Sequence, residues 1–173
     1  MSTLNYFELL GLPEALELDR AALESAYQIQ QSRWHPDQFA SADAALRARA
    51  VQQTSLLNDA YRRLREPVLR AEHLLTLRGV DTERLEQHEL EPAFLFEQMQ
   101  WREELQEYLD AHDSAALEKL DAMARARFAA TWRAFAEAFT RPALEAAKRE
   151  FHKLQFLRKL QHDISDAEAH LDA

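Results

Sequence analysis

The sequence predicts an all-α protein, and three observations carry the prediction. Ala, Leu, Glu, Gln and Arg, all good helix formers, dominate the 173 residues, while β-branched residues are few and scattered. Only two glycines and five prolines punctuate the chain. Between them, apolar residues recur at alternating spacings of three and four, the period of one helix face. With 47% apolar residues, the chain can bury the core of one domain or two small ones.

A short first helix is expected over Asn5–Leu10, stopped by Gly11 and Pro13. Asp19 is placed to cap a second helix, with Leu18 and Leu23 spaced as a hydrophobic staple and Leu23, Tyr27 and Trp34 on its inner face. Pro36 disfavours helical geometry at His35, so this helix ends there and a loop runs from His35 to Ser41. A third helix follows from about Asp43 to Arg65, with Leu46, Ala50, Thr54, Leu57, Tyr61 and Leu64 in one core stripe. Glu66-Pro67 breaks it, and a fourth helix from Val68 to Arg78 turns Ala71, Leu74 and Leu75 inward.

Segment 79–92 is acidic, contains Pro92 and lacks a sustained apolar period, so it reads as a linker. Three longer helices are expected beyond it. The first, Ala93 to His112, has Phe94, Trp101, Leu105 and Tyr108 on one face. The second, Ser114 to Phe139, carries Leu117, Leu120, Ala124, Phe128, Thr131 and Phe135. The third begins after Thr140, with Pro142 in its first turn, and presents Ala147, Phe151, Leu154, Leu157 and Ile164. Connections of only a few residues make neighbours antiparallel. The expected organisation is a helical-hairpin unit over 1–78, a linker over 79–92 and a three-helix bundle over 93–171.

Composition excludes several chemistries. Without cysteine, the chain offers no disulfide, no thiolate nucleophile and no Cys-ligated zinc or iron–sulfur cluster. Gly11 and Gly79 stand too far apart for a glycine-rich phosphate cradle. H-E-x-x-H, Glu-x-x-His and G-x-S-x-G are absent, and the histidines are dispersed at 35, 73, 88, 112, 152, 162 and 170. No catalytic residue, metal ligand or cofactor is therefore expected. The start, MSTLNYFELLGL, lacks the features of a signal peptide or membrane anchor, so a cytoplasmic protein is expected.

Charge is unevenly divided. Residues 1–78 hold 9 Lys and Arg against 10 Asp and Glu, whereas residues 79–173 hold 12 against 20. The second half thus repels nucleic acid and anionic membranes, leaving a protein with basic character as the fitting partner.

One tripeptide stands out. His35-Pro36-Asp37 lies between two antiparallel amphipathic helices, with Trp34 before it and Phe39 after it. Pro36 stiffens the turn, Asp37 is able to accept a bidentate pair of hydrogen bonds from a partner arginine, and His35 is able to donate or accept one. This arrangement resembles the J-domain, and the resemblance implies that the loop activates an ATP-dependent heat-shock chaperone while the chain itself does no chemistry.

The resemblance extends further. RAVQQTSLLNDAYRRLREPVLRAEHLLTLR at 49–78, AFLFEQMQWREELQE at 93–107 and HKLQFLRKL at 152–160 are similar to the HscB (Hsc20) family of J-type co-chaperones of iron–sulfur cluster assembly. It implies two partners: a heat-shock chaperone ATPase of the HscA type and an iron–sulfur scaffold protein of the IscU type. Cysteine-free, the chain resembles the bacterial members. It departs from the J-domain pattern in its second helix, which is usually basic but here offers only Arg20 and Arg33 against Glu24, and in Gln38, where lysine is common. Arg62, Arg63 and Arg65 on the facing helix are the candidates to compensate. The expected chaperone-binding set is His35, Pro36, Asp37, Arg33, Arg62 and Arg63.

A binding face emerges independently from helix geometry. At about 100° per residue, Phe96 and Met99 lie nearly opposite the stripe of Phe94, Trp101, Leu105 and Tyr108, beside Gln100, Glu103 and Glu107. Phe156 falls largely outside the stripe of its own helix, and antiparallel packing would bring it near Leu95, Phe96 and Met99. An apolar centre with a charged rim is the anatomy of a protein-binding site. The resemblance implies that the scaffold docks here, on Leu95, Phe96, Met99, Gln100, Glu103, Glu107 and Phe156; Gln100 departs from the acid common in the family. The alternatives are a J-domain co-chaperone for another client, or a non-enzymatic helical adaptor.

Overall fold

A computed structural model describes residues 4–83, 90–141 and 143–171. Among these residues there are seven α-helices and no strand: α1 Tyr6–Leu10, α2 Arg20–Trp34, α3 Ala44–Arg65, α4 Pro67–Leu77, α5 Pro92–Asp110, α6 Ser114–Thr140 and α7 Leu144–Leu171. They form two compact units, Met1–Val80 and Asp81–Ala173.

Local chemistry sets most helix ends. The Asn5 side chain accepts hydrogen bonds from the Phe7 and Glu8 amides, and Gly11 closes α1 at φ +71°, in the left-handed region that glycine tolerates best. Asp19 and Asp43 cap α2 and α3 through the amides of Ala21 and Leu46. Glu66 serves two helices, ending α3 and capping α4 through Val68 and Leu69. Pro67 therefore opens α4 as its first residue instead of merely breaking α3, because that position needs no amide donor. Pro92 opens α5 for the same reason and belongs to that helix, not to the linker.

In the first unit, α2 and α3 form an antiparallel hairpin. Tyr27 stacks on Tyr61 with centroids 4.4 Å apart, the Tyr27 hydroxyl donates to Asn58 Oδ1 at 2.7 Å, and the Thr54 hydroxyl donates to the Trp34 carbonyl at 3.0 Å. The core joins Phe7 and Leu10 of α1 to Leu23, Leu57, Leu64, Val68, Leu74 and Leu75. Leu46, expected in the α3 stripe, is 37% exposed: it sits near the start of α3, beyond the level at which Trp34 ends α2.

Two buried polar side chains tie this unit together. Arg70 donates from Nε to the Leu16 carbonyl at 2.7 Å and from Nη1 to the Leu64 carbonyl at 2.6 Å. His73 accepts the Tyr6 amide on Nε2 at 3.1 Å and lies against the rings of Tyr6 and Phe7.

The second unit is built on the α6/α7 pair, with α5 packed on both. Trp101, Leu105, Tyr108 and Phe156 surround buried Leu120, Ala124, Leu160 and Ile164. Expected core residues Leu117, Phe135, Ala147, Phe151, Leu154 and Leu157 are buried. Pro142 lies outside the described residues.

Candidate functional site

The His35-Pro36-Asp37 triplet sits at the tip of the α2/α3 hairpin, where Pro36–Phe39 form a short 3₁₀ turn in place of an irregular loop. Asp37 is 91% exposed at its side chain and His35 51%. The Asp37 amide donates to His35 Nδ1 at 3.3 Å, which in the neutral ring leaves the proton on Nε2. Gln38, at the position where lysine is common, donates from its side chain to the Ser32 carbonyl at 2.7 Å and so ties the turn to the end of α2. Trp34 stacks on Phe39, centroids 5.8 Å apart, beneath the turn.

The arginines around this tip are not all those the sequence suggested. Arg33 is exposed in the last turn of α2. From α3, Arg49 lies over the Trp34 ring at 5.6 Å and Arg47 donates to the Ala42 carbonyl at 2.8 Å. Arg62 and Arg63 are thirteen and fourteen residues beyond Arg49 along α3, about 20 Å away, and pair with Asp59 at 3.1 Å and Glu72 at 3.2 Å. The structure thus separates them from the loop. Arg47 and Arg49 escaped sequence reasoning because their nearness to the loop depends on α3 folding back over Trp34.

On the second unit, α5 turns Leu95, Phe96 and Met99 outward at 40%, 61% and 61% exposure, three of the eight large apolar residues exposed among the described ones. Gln100, Glu103 and Glu107 share that exposed side. Clustering on one helix distinguishes these three from scattered apolar residues. Phe156 differs from expectation. It is half-buried, edge-on to Phe94 at 5.8 Å, stacked on Trp101 at 6.2 Å and covered by the Arg102 guanidinium at 5.5 Å. Because α7 packs against both α5 and α6, its buried arc is wider than one stripe and takes in Phe156. The ring packs on the inner side of α5, against Phe94 and Trp101.

α5 is further held by ion pairs from Arg127 to Glu97 at 3.0 Å and from buried Lys153 to Glu91 at 3.4 Å. Lys153 also meets Glu150 at 2.8 Å. Among the described residues, no group of three or more His, Asp or Glu side chains is arranged to hold a metal ion. No helix among them is long and apolar enough to cross a membrane.

A family model described as the HSCB C-terminal oligomerisation domain matches residues 90–165. The co-chaperone protein HscB homolog of Cupriavidus taiwanensis is 42% identical over 170 residues, spanning 94% of this chain and 93% of that protein. Its counterpart from Ralstonia nicotianae is 40% identical over 168 residues, 96% of each chain. The solved structure of chaperone HscB from Vibrio cholerae matches with a TM-score of 0.86 at 39% identity, covering 97% of this chain and 99% of that one. Human co-chaperone protein HscB matches with a TM-score of 0.86 at 28% identity, covering 94% and 81%. By name, these relatives are chaperones and co-chaperones, the class that a His-Pro-Asp hairpin joined to a separate helical unit fits. The chain belongs to the HscB co-chaperone family.

Proposed function

We propose that this protein is a cytoplasmic, non-enzymatic J-type co-chaperone of iron–sulfur cluster assembly, carrying a scaffold protein of the IscU type to a chaperone ATPase of the HscA type. Residues 1–78 act as the J-domain, whose loop stimulates ATP hydrolysis by the chaperone. Residues 93–171 bind the scaffold through Leu95, Phe96 and Met99, with Gln100, Glu103 and Glu107 at the rim. The exposed His35 and Asp37 side chains at the hairpin tip carry the reading. A partner arginine has an exposed carboxylate to grip at Asp37, on a turn already held by its own hydrogen bonds. The absence of cysteine suits a protein that handles a cluster carrier without ligating the cluster. Holding both partners at once raises the local concentration of scaffold beside the ATPase.

The test is ATPase stimulation of the chaperone with and without scaffold. His35→Gln abolishes stimulation while scaffold affinity is kept. Phe96→Ala weakens scaffold affinity about tenfold or more while stimulation in the absence of scaffold is kept. Full stimulation by His35→Gln would reject the J-domain role, and unchanged scaffold affinity in Phe96→Ala would reject the patch.

A further inference from the structure

At the opposite end of the α2/α3 hairpin from the His-Pro-Asp turn lies a cleft of about 330 Å³, lined by Arg20, Tyr61, Arg62, Arg65, Glu66 and Pro67. It opens between the start of α2, the last turn of α3 and the α3–α4 corner. Arg65 is sixteen residues beyond Arg49 on α3, about 24 Å, so the cleft is a separate surface from the loop.

The acids near the cleft are engaged. Glu66 accepts from the amides of Val68 and Leu69 at 3.1 and 2.9 Å, offsetting the positive end of α4. Glu24 takes the Tyr61 hydroxyl, an arrangement that raises the phenol's pKa. Asp59 pairs with Arg62. By contrast, Arg20 and Arg65 make no hydrogen bond or ion pair among the described residues. The Arg65 guanidinium lies 5.9 Å over the Tyr61 ring, which is itself fixed by its stack on Tyr27. The cleft therefore offers two available guanidinium forks above an aromatic and proline floor.

Helix electrostatics explain only part of this. Arginines in the last turn of α3 favour its carbonyl end. Arg20 is the first residue of α2, where the helix dipole disfavours a cation, so its presence at the cleft calls for another reason. Guanidinium forks match carboxylates bidentately, and the Tyr61 and Pro67 floor fits an apolar side chain. A net charge of −9 disfavours the approach of long polyanions such as nucleic acid.

We propose that this cleft docks a short acidic peptide segment of a protein partner, its carboxylates on Arg20 and Arg65 and an intervening apolar side chain against Tyr61 and Pro67. The site is independent of the His-Pro-Asp loop.

The full chain is titrated at low salt with a synthetic peptide alternating glutamate and leucine, followed by backbone amide shifts and calorimetry. Shifts centre on residues 20, 61, 62, 65 and 66. Arg20→Gln and Arg65→Gln each weaken binding about fivefold with only a small change in thermal stability, and Arg65→Lys, which keeps the charge and loses the fork, recovers part of the loss. Arg33→Gln binds like the wild type, and physiological salt weakens the complex severalfold. Wild-type affinity in both glutamine variants, equal binding of a glutamine–leucine peptide, or tighter binding of inorganic phosphate, RNA or anionic vesicles through the same arginines would each overturn the proposal.

Discussion

Trp101 of α5 and Phe156 of α7 lie ring over ring, centroids 6.2 Å apart and 17° from parallel, and Phe94 meets the same Phe156 edge-on. Phe94 is the one buried side chain of α5, so these three rings are the main apolar fastening of the helix that displays Phe96 and Met99. Phe156→Ala should destabilise the second unit by about 2 kcal/mol and shift Trp101 fluorescence. Phe96→Ala, at an exposed position, should change stability by less than about 0.5 kcal/mol. Thermal unfolding followed by tryptophan emission distinguishes the two; equal stability of both variants would place Phe156 outside the packing.

Arg70 staples the segment before α2 to the end of α3 through the carbonyls of Leu16 and Leu64. Burial lowers its pKa, with Glu17 and Glu66 opposing. Arg70→Met keeps much of the stem but strands both carbonyls, and a loss of about 2 kcal/mol in denaturant unfolding is expected. A variant as stable as the wild type would mean that water replaces the guanidinium.

His73 makes the first unit acid-sensitive. Burial is the main cause that holds its pKa below 6.5; Arg63 adds to the effect and Glu14 opposes it. The unfolded chain thus binds the proton more readily, so this contribution to stability is complete above about pH 6.5 and declines as the pH falls towards the lower folded value. Protonation also removes the Nε2 acceptor for the Tyr6 amide. His73→Gln, which lacks a titrating ring, should flatten the dependence of the thermal midpoint between about pH 7 and 5; an unchanged slope would assign it to other groups.

The proposed chaperone stimulation should depend only weakly on salt, because the α2 residues nearest the tip include one arginine, Arg33, with only Arg47 and Arg49 added from α3. A loss below about threefold between low and physiological salt is expected, with Arg62→Gln and Arg63→Gln behaving like the wild type. A steep loss that those two substitutions removed would restore them to the chaperone contact.

Legibility in the sequence followed the range of the physics. The cap at Asp19 and the stops at Gly11 and Pro36 act within a few residues, so α1 to α3 were readable to within a residue at their starts, where Asn5 and Asp43 prove to be caps and not first helical residues. The outward face of α5 was also readable, because the two residues from Phe94 to Phe96 turn a helix by about 200° and so place the two rings on opposite faces. Phe156 was not. Its position depends on α7 having two packing partners, which no single-helix projection contains. In the sequence Pro67 reads as a break and Pro92 as part of a linker, yet each starts a helix, since the same ring restraint serves both ends. The Arg20 and Arg65 cleft joins residues 45 positions apart and exists only in the folded hairpin.

The turn at the hairpin tip is fastened at several points, by Gln38 to Ser32, by Thr54 to Trp34 and by the Asp37 amide to His35. A turn that arrives already shaped has no ordering step to wait for. Its encounter with a partner is then set by diffusion and charge, and substitutions in the turn should be read in how quickly the complex falls apart, not in how quickly it forms.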